Sequence, residues 1–208
     1  MSRTPLLLAA LAAVLLPCLE ASAARAADTY TIDVGHSNVG FSIRHFFSKV
    51  PGRFGKYEGS IVYDSQDMSK SSVNVTIESA SIDTDMDDRD KHLRSADFFD
   101  VEKFPKITFV SGKVKPLGGK KAQVEGTLTI KGVSKPVTLD IEVFGTGPDA
   151  WGNTRGGFEG RTKINRQDFG VAWNKAVEGG GTILGDEVEI TLNVEAVRQK
   201  PAEAPAKK

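Results

Sequence analysis

Cysteine is all but missing from this 208-residue sequence; Cys18 is the only one. No intrachain disulfide can brace the fold. Histidine is nearly as scarce: His36, His45 and His92 show no i, i+4 pairing, so no metal-binding helix motif is present. Charge of one sign is lacking as well, since 27 Lys and Arg balance 27 Asp and Glu. A near-neutral chain argues against nucleic acid, which demands a basic face. No apolar stretch reaches transmembrane length. Two catalytic signatures are also absent. Gly179-Gly180-Gly181 lacks the Lys-Ser/Thr ending of a phosphate loop, and no serine sits in a Gly-x-Ser-x-Gly elbow.

What is present begins with a leader. Arg3 puts a positive charge near the N-terminus, and Leu6–Leu16 follows as an uninterrupted apolar run too short to span a bilayer comfortably. The small-x-small triplets Ala21-Ser22-Ala23 and Ala24-Arg25-Ala26 place a signal-peptidase cut after Ala23 or Ala26. Cys18 would mark a lipoprotein, but Pro17 stands where lipidation needs a small residue. Cleavage removes the cysteine and leaves enough chain for one domain with a sizeable core.

From Asp28 onward the hydrophobic period is two. Val73, Val75 and Ile77 alternate with Asn74, Thr76 and Glu78. Val137, Leu139, Ile141 and Val143 alternate with Thr138, Asp140 and Glu142; Val188, Ile190, Leu192 and Val194 do the same with Glu189, Thr191 and Asn193. Such strands have one apolar and one wet face, as antiparallel sheets do. Weaker copies run through 39–45, 55–63, 107–114, 122–130 and 156–164, with turn signals at 116–119, 145–148 and 179–181. About eight strands joined by short turns predict an all-β closed barrel or sandwich.

One segment departs from the rhythm. Asp87-Asp88-Arg89-Asp90-Lys91-His92-Leu93-Arg94 opens on acids and ends on bases, as a short helix complementing its own dipole does. The chain therefore divides into a leader at 1–26, a barrel at 28–198 and a disordered tail at 199–208 rich in Pro, Ala and Lys.

A closed eight-stranded barrel is either filled by its own side chains or holds one ligand. Aromatic material is distributed along the whole domain: Phe41, Phe46, Phe47, Tyr63, Phe98, Phe99, Phe104, Phe109, Phe144, Phe158, Phe169 and Trp173. Inward positions at Gly59, Gly126, Gly160 and Thr162 are small where a filled barrel would want bulk, although glycine also marks bends and bulges. The three histidines, joined by Asp33 or Asp90, could assemble a zinc site in space. His36-Ser37-Asn38 reads equally well as turn chemistry, with side chains bonding the local backbone.

Five motifs in order carry a family resemblance. They are Tyr30–His45; Arg89–Asp100 with Phe104-Pro105; Gly126–Val133; Asn165–Gly170; and Gly185–Val188. Together they make the chain resemble YceI-like domains from Thr29 to about Val197. The resemblance implies an extended lipocalin-like barrel of eight antiparallel strands with a long internal cavity. It also implies a periplasmic protein that carries or sequesters a polyisoprenoid or another long amphiphile, without catalysis and with no cofactor beyond that lipid. The residues expected to meet the ligand are Phe41, Ile43, Ile61, Tyr63, Ile77, Phe98, Phe109, Leu128, Ile141, Phe158, Ile164 and Trp173. Arg44, His45 and His92 are the basic groups expected at the mouth. A homodimer is left open. Two rivals stand beside this reading: a metal-assisted enzyme on the three histidines, and an interaction module whose barrel is filled.

Overall fold

A computed structural model describes residues 27–200, so the expected leader and all but the first residues of the expected tail lie outside the described residues. Eleven strands and one helix follow in order. They are β1 (Asp28–Ile32), β2 (Asn38–His45), β3 (Ser48–Phe54), β4 (Tyr57–Tyr63), β5 (Ser72–Glu78), β6 (Ile82–Asp83), α1 (Asp87–Arg94), β7 (Lys106–Gly118), β8 (Lys121–Ile130), β9 (Val133–Pro148), β10 (Thr154–Asn165) and β11 (Leu184–Arg198).

Eight of them close a barrel. The order β1-β4-β5-β7-β8-β9-β10-β11 is antiparallel at every step, and β11 pairs back onto β1. Closure leaves the ring without an exposed edge. The long strand β11 serves two neighbours: Ala196, Val197 and Arg198 pair with β1, while Leu184 to Asn193 pair with β2. β1 and β2 thus run end to end along β11, separated by a 3-10 turn at Val34–His36. β2, β3 and β6 extend from β11 as a flap beside the ring. Alternation therefore yields eight strands, but not the eight that close: it finds β2 and passes over the short β1.

The turn signals resolve differently. Gly118 and Gly119 adopt positive φ at the β7–β8 turn. Gly145 to Pro148, read as a turn, lie inside β9 instead, and the chain reverses at 149–153. There the Asp149 carboxylate accepts hydrogen bonds from the backbone amides of Trp151 and Asn153. α1 occupies the eight residues that the charge pattern delimits, with Asp87, Asp88 and Asp90 in its first turn and Lys91, His92 and Arg94 in its last. It caps one end of the barrel. Asp90 is buried there and accepts from the Thr84 amide (3.0 Å) and hydroxyl (2.5 Å).

The two barrel ends differ. At the end farther from α1, Tyr30, Val143, Phe158 and Ala196 form a small buried cluster. The rings of Tyr30 and Tyr63 meet Phe158 edge-on, with centroids 6.3 and 5.7 Å away. The larger core cluster lines the rest of the barrel up to α1. Among the described residues no helix is long and apolar enough to cross a membrane. The outward rows of β9 and β11 carry Asp140, Glu142, Glu187 and Glu189, a surface suited to water and not to hydrocarbon.

Candidate functional site

The barrel encloses a cavity of about 610 Å³. Its wall comes from the inward row of every ring strand and of β2 and β3. A volume of this size lies in the usual range of small-molecule sites. The barrel is therefore not filled by its own side chains. The burial pattern says the same: Val73, Val75, Ile77, Ile190 and Leu192 point inward yet stay partly accessible, because they face open space.

Most of the residues singled out in the sequence reach this wall. β2 contributes Phe41, Ile43 and His45, and β4 contributes Ile61 and Tyr63. Ile77 comes from β5, Phe109 from β7 and Leu128 from β8, with Phe109 and Leu128 directly opposed across the β7–β8 ladder. Ile141 comes from β9, and Phe158 and Ile164 from β10. His92 of α1, Phe98 behind it and Trp173 complete the set. The last three form an aromatic group: His92 stands edge-on to both Phe98 and Trp173 at 5.0 Å, and the latter two are 5.2 Å apart.

Arg44 does not reach the wall. It lies on the outward row of β2, exposed, and its guanidinium donates to the Phe46 carbonyl (3.0 Å). A strand's side chains alternate, so His45 and Arg44 cannot both face inward. The cations that do reach the wall, Arg89 and Arg166, carry no periodic signal in the sequence. Arg89 is held at Thr84 through its hydroxyl and its carbonyl. Arg166 is 4% exposed. It donates to the carbonyls of Gly185 (2.9 Å), Val171 (2.6 Å) and Trp173 (2.8 Å), with Asp186 at 3.3 Å. Burial pulls its pKa down against the opposing pull of Asp186. Arg94 is likewise structural, donating to the Ala80 and Ile82 carbonyls.

The small positions also resolve in two ways. Gly160 and Thr162 line the cavity, although a Cβ at Gly160 would already fall 3.0 Å from Ile141. Gly126 and Gly59 do not open space: a Cβ at Gly126 would fall 2.4 Å from the Phe109 ring, and one at Gly59 would fall 2.9 Å from Ile32. Glycine there lets neighbouring side chains lie against the strand.

The electrostatics suit an apolar guest. Among the described residues no buried side-chain nitrogen or oxygen lacks a partner. Burial, aided by Asp64, pushes the Tyr63 hydroxyl pKa up, so the phenol is neutral at ordinary pH. Asp88 is the exposed residue of the wall, and His45, Val50, His92 and Ile183 near it are half-buried. The mouth therefore opens between α1 and the β2–β3 hairpin.

The three histidines do not converge on a metal site. Among the described residues the one group with convergent donor atoms is Asp33, His36 and Glu195, without His45 or His92. Arg155 already supplies its positive charge, donating to Asp33 (2.6 Å), Glu195 (2.5 Å) and Asp149 (2.9 Å). His36 bonds the same Asp33 (2.9 Å), which also accepts from the Gly35 amide (3.1 Å) as an Asx-type turn does, whereas Ser37 bonds the distant Glu195 backbone on β11 instead of the local chain. His92 is paired with Asp97 at 2.9 Å.

The profile of the YceI-like domain matches residues 30–196. The UPF0312 protein of Photorhabdus laumondii is 43% identical over 185 residues, covering 88% of this chain and 92% of that protein. Among solved structures, BcnA of Burkholderia cenocepacia superposes with a TM-score of 0.70 at 29% identity, covering 79% of this chain and 99% of BcnA. A polyisoprenoid-binding domain from Saccharophagus degradans shares the fold alone, with a TM-score of 0.58 at 15% identity over 84% of this chain and the whole of that domain. The closed antiparallel barrel, its single capping helix and these likenesses lead to one statement of identity: the chain belongs to the YceI-like family.

Proposed function

We propose that this protein binds a long apolar isoprenoid-type lipid in its barrel and carries or sequesters it in the periplasm without altering it. The observation that carries this reading is the cavity of about 610 Å³, with a wall made mostly of apolar side chains and with its fully buried polar atoms already paired. A polar guest would meet a mostly apolar wall and would lose about 1–3 kcal/mol for each group left unpaired. An apolar chain gains instead. Each buried CH₂ contributes about 0.8 kcal/mol, so one five-carbon isoprene unit gains roughly 3–4 kcal/mol before its ordering cost is deducted. The polyisoprenoid-binding domain of like fold supports the same ligand class. Periplasmic residence rests on the leader at 1–26.

Organic extraction of the purified protein followed by mass spectrometry tests the reading. A co-purifying long-chain lipid is the expected result. A protein that yields none, and that takes up none of a series of isoprenoid alcohols, is not a lipid carrier. Elemental analysis of the same sample should find no stoichiometric metal. Intact mass of the exported form should begin at Ala24 or Ala27; a lipidated Cys18 would place the protein on a membrane instead.

A further inference from the structure

The aromatic pair at the tip of the β2–β3 hairpin takes no part in the cavity wall. Phe47 is 104% exposed and Phe46 is 40% exposed. Their rings stack at 6.3 Å with 27° between planes, so together they form one apolar surface directed at solvent. The tip is held in place. The Phe46 amide donates to Ile183 (3.0 Å), Arg44 donates to the Phe46 carbonyl, and the chain keeps Phe46 at φ 48°, a region that bulky side chains avoid.

The tip is continuous with the cavity mouth. Ile43, His45 and Val50 of the same hairpin, and Ile183 beside it, belong to the wall. The tip segment 44–49 and the neighbouring loop 174–183 carry Arg44, Lys49 and Lys175 against one carboxylate, Glu178. Lys49 is paired with Glu189 on β11, whereas Arg44 and Lys175 form no ion pair among the described residues.

We propose that this hairpin docks the barrel on a bilayer surface containing anionic lipid. Phe46 and Phe47 enter the headgroup region, Arg44 and Lys175 lie against the headgroups, and the cavity mouth faces the membrane. Aromatic side chains favour that interface and basic side chains favour its negative potential. A guest chain then passes between bilayer and cavity without crossing water. The consequence for transfer rests on the lipid-carrier reading; the docking itself does not.

The test uses the chain from residue 27, whose barrel is complete between Asp28 and Arg198. Co-flotation is measured with vesicles of phosphatidylcholine alone and of phosphatidylcholine mixed with phosphatidylglycerol, neither containing isoprenoid. The wild type should float with the mixed vesicles. Phe46→Ser with Phe47→Ser should lower the partition coefficient at least about tenfold with an unchanged Tm, since both side chains are exposed. Arg44→Gln and Lys175→Gln should each weaken binding about fivefold on the mixed vesicles and leave neutral vesicles unaffected.

Brominated lipid reports orientation, because Trp173 lies at the mouth and Trp151 on the β9–β10 turn at the far end. Quenching should persist in Trp151→Phe. The proposal falls if the wild type does not float, if the double serine variant floats as well as the wild type, or if quenching disappears in Trp151→Phe. It falls equally if the double variant turns a dimer into a monomer with no vesicle binding in either form, which would make the tip an interface between copies. A chain that floats but neither yields an extracted lipid nor takes up an isoprenoid alcohol would keep the docking and refute the carrier.

Discussion

The two ends of this barrel are built on opposite plans. The end farther from α1 is shut by Tyr30, Val143, Phe158 and Ala196 and tied by an ion network centred on Arg155. Its tight turns take their left-handed positions with glycine, at Gly118, Gly119 and Gly152. The α1 end carries every non-glycine residue of positive φ among the described residues: Phe46, Asp85, Asp100 and Lys131. It also holds the half-buried aromatics His92 and Trp173 and the buried Arg166. A shut end needs only packing and paired charge. An open end must hold loops in place around a hole, and it does so by hydrogen-bonding backbone that packing cannot fix. Arg166 illustrates this, spending its donors on three carbonyls that frame the Trp173 segment and the start of β11.

The largest effect should come from the plug. Phe158→Ala removes a buried ring packed against Tyr30, Tyr63 and Gly156 and should cost about 3–5 kcal/mol in denaturant unfolding. The lengthened cavity should then retain longer chains in extraction experiments. A cost below about 1 kcal/mol would show that the shut end is not held by this cluster.

Arg166→Met tests the opposite end. It leaves the carbonyls of Val171, Trp173 and Gly185 without their donor and should cost about 3 kcal/mol. It should also speed release of a fluorescent lipid, because the mouth loop loosens. Stability loss without faster release would mean that Arg166 has no part in gating.

Arg155→Met makes the contrast sharper. It should lower Tm by several degrees and leave lipid release unchanged, since Arg155 ties β1, β11 and the β9–β10 turn away from the mouth. The same network predicts an acid response. Hydrogen bonds from Arg155 and then His36 hold the Asp33 carboxyl below its ordinary 3.8. At Asp149 burial acts in the raising direction, but bonds from Arg155, Asn153 and the Trp151 amide outweigh it and hold the carboxyl well below that value. Both groups bind fewer protons folded than unfolded, so their stabilisation is present above about pH 4 and is lost as pH falls through the depressed folded values. Amide exchange measured below pH 4 should therefore accelerate first along the β1–β11 seam, and the effect should shrink in Arg155→Met.

The smallest effect is expected at Arg44. Because it lies on the outer row, Arg44→Ala should not change competition between free isoprenoid alcohol and isoprenoid phosphate. A selective loss of phosphate affinity would show that the hairpin folds over the mouth when lipid enters.

Much of this protein was legible in the residues themselves, where the signal is local. The period-two rows of β5, β9 and β11 mark strands with one wet face, and the charge order of 87–94 marks α1 to the residue. Inward parity places Phe41, Ile61, Leu128, Ile141 and Ile164 on one wall without any tertiary information, because a strand's faces alternate whatever its neighbours are. The tertiary structure alone decided which strands close the ring, since β1 is too short to announce itself and is fixed by pairing with residues more than 160 positions away on β11. It decided that Arg166 is buried while Arg44 is not, because three carbonyls from two separate segments, 171–173 and the start of β11, meet at Arg166. It also decided that Gly126 receives the Phe109 ring while Gly160 lies on the cavity wall between Ile141 and Leu192. Alternation tells a side chain which face it is on; only closure of the ring determines what it meets there.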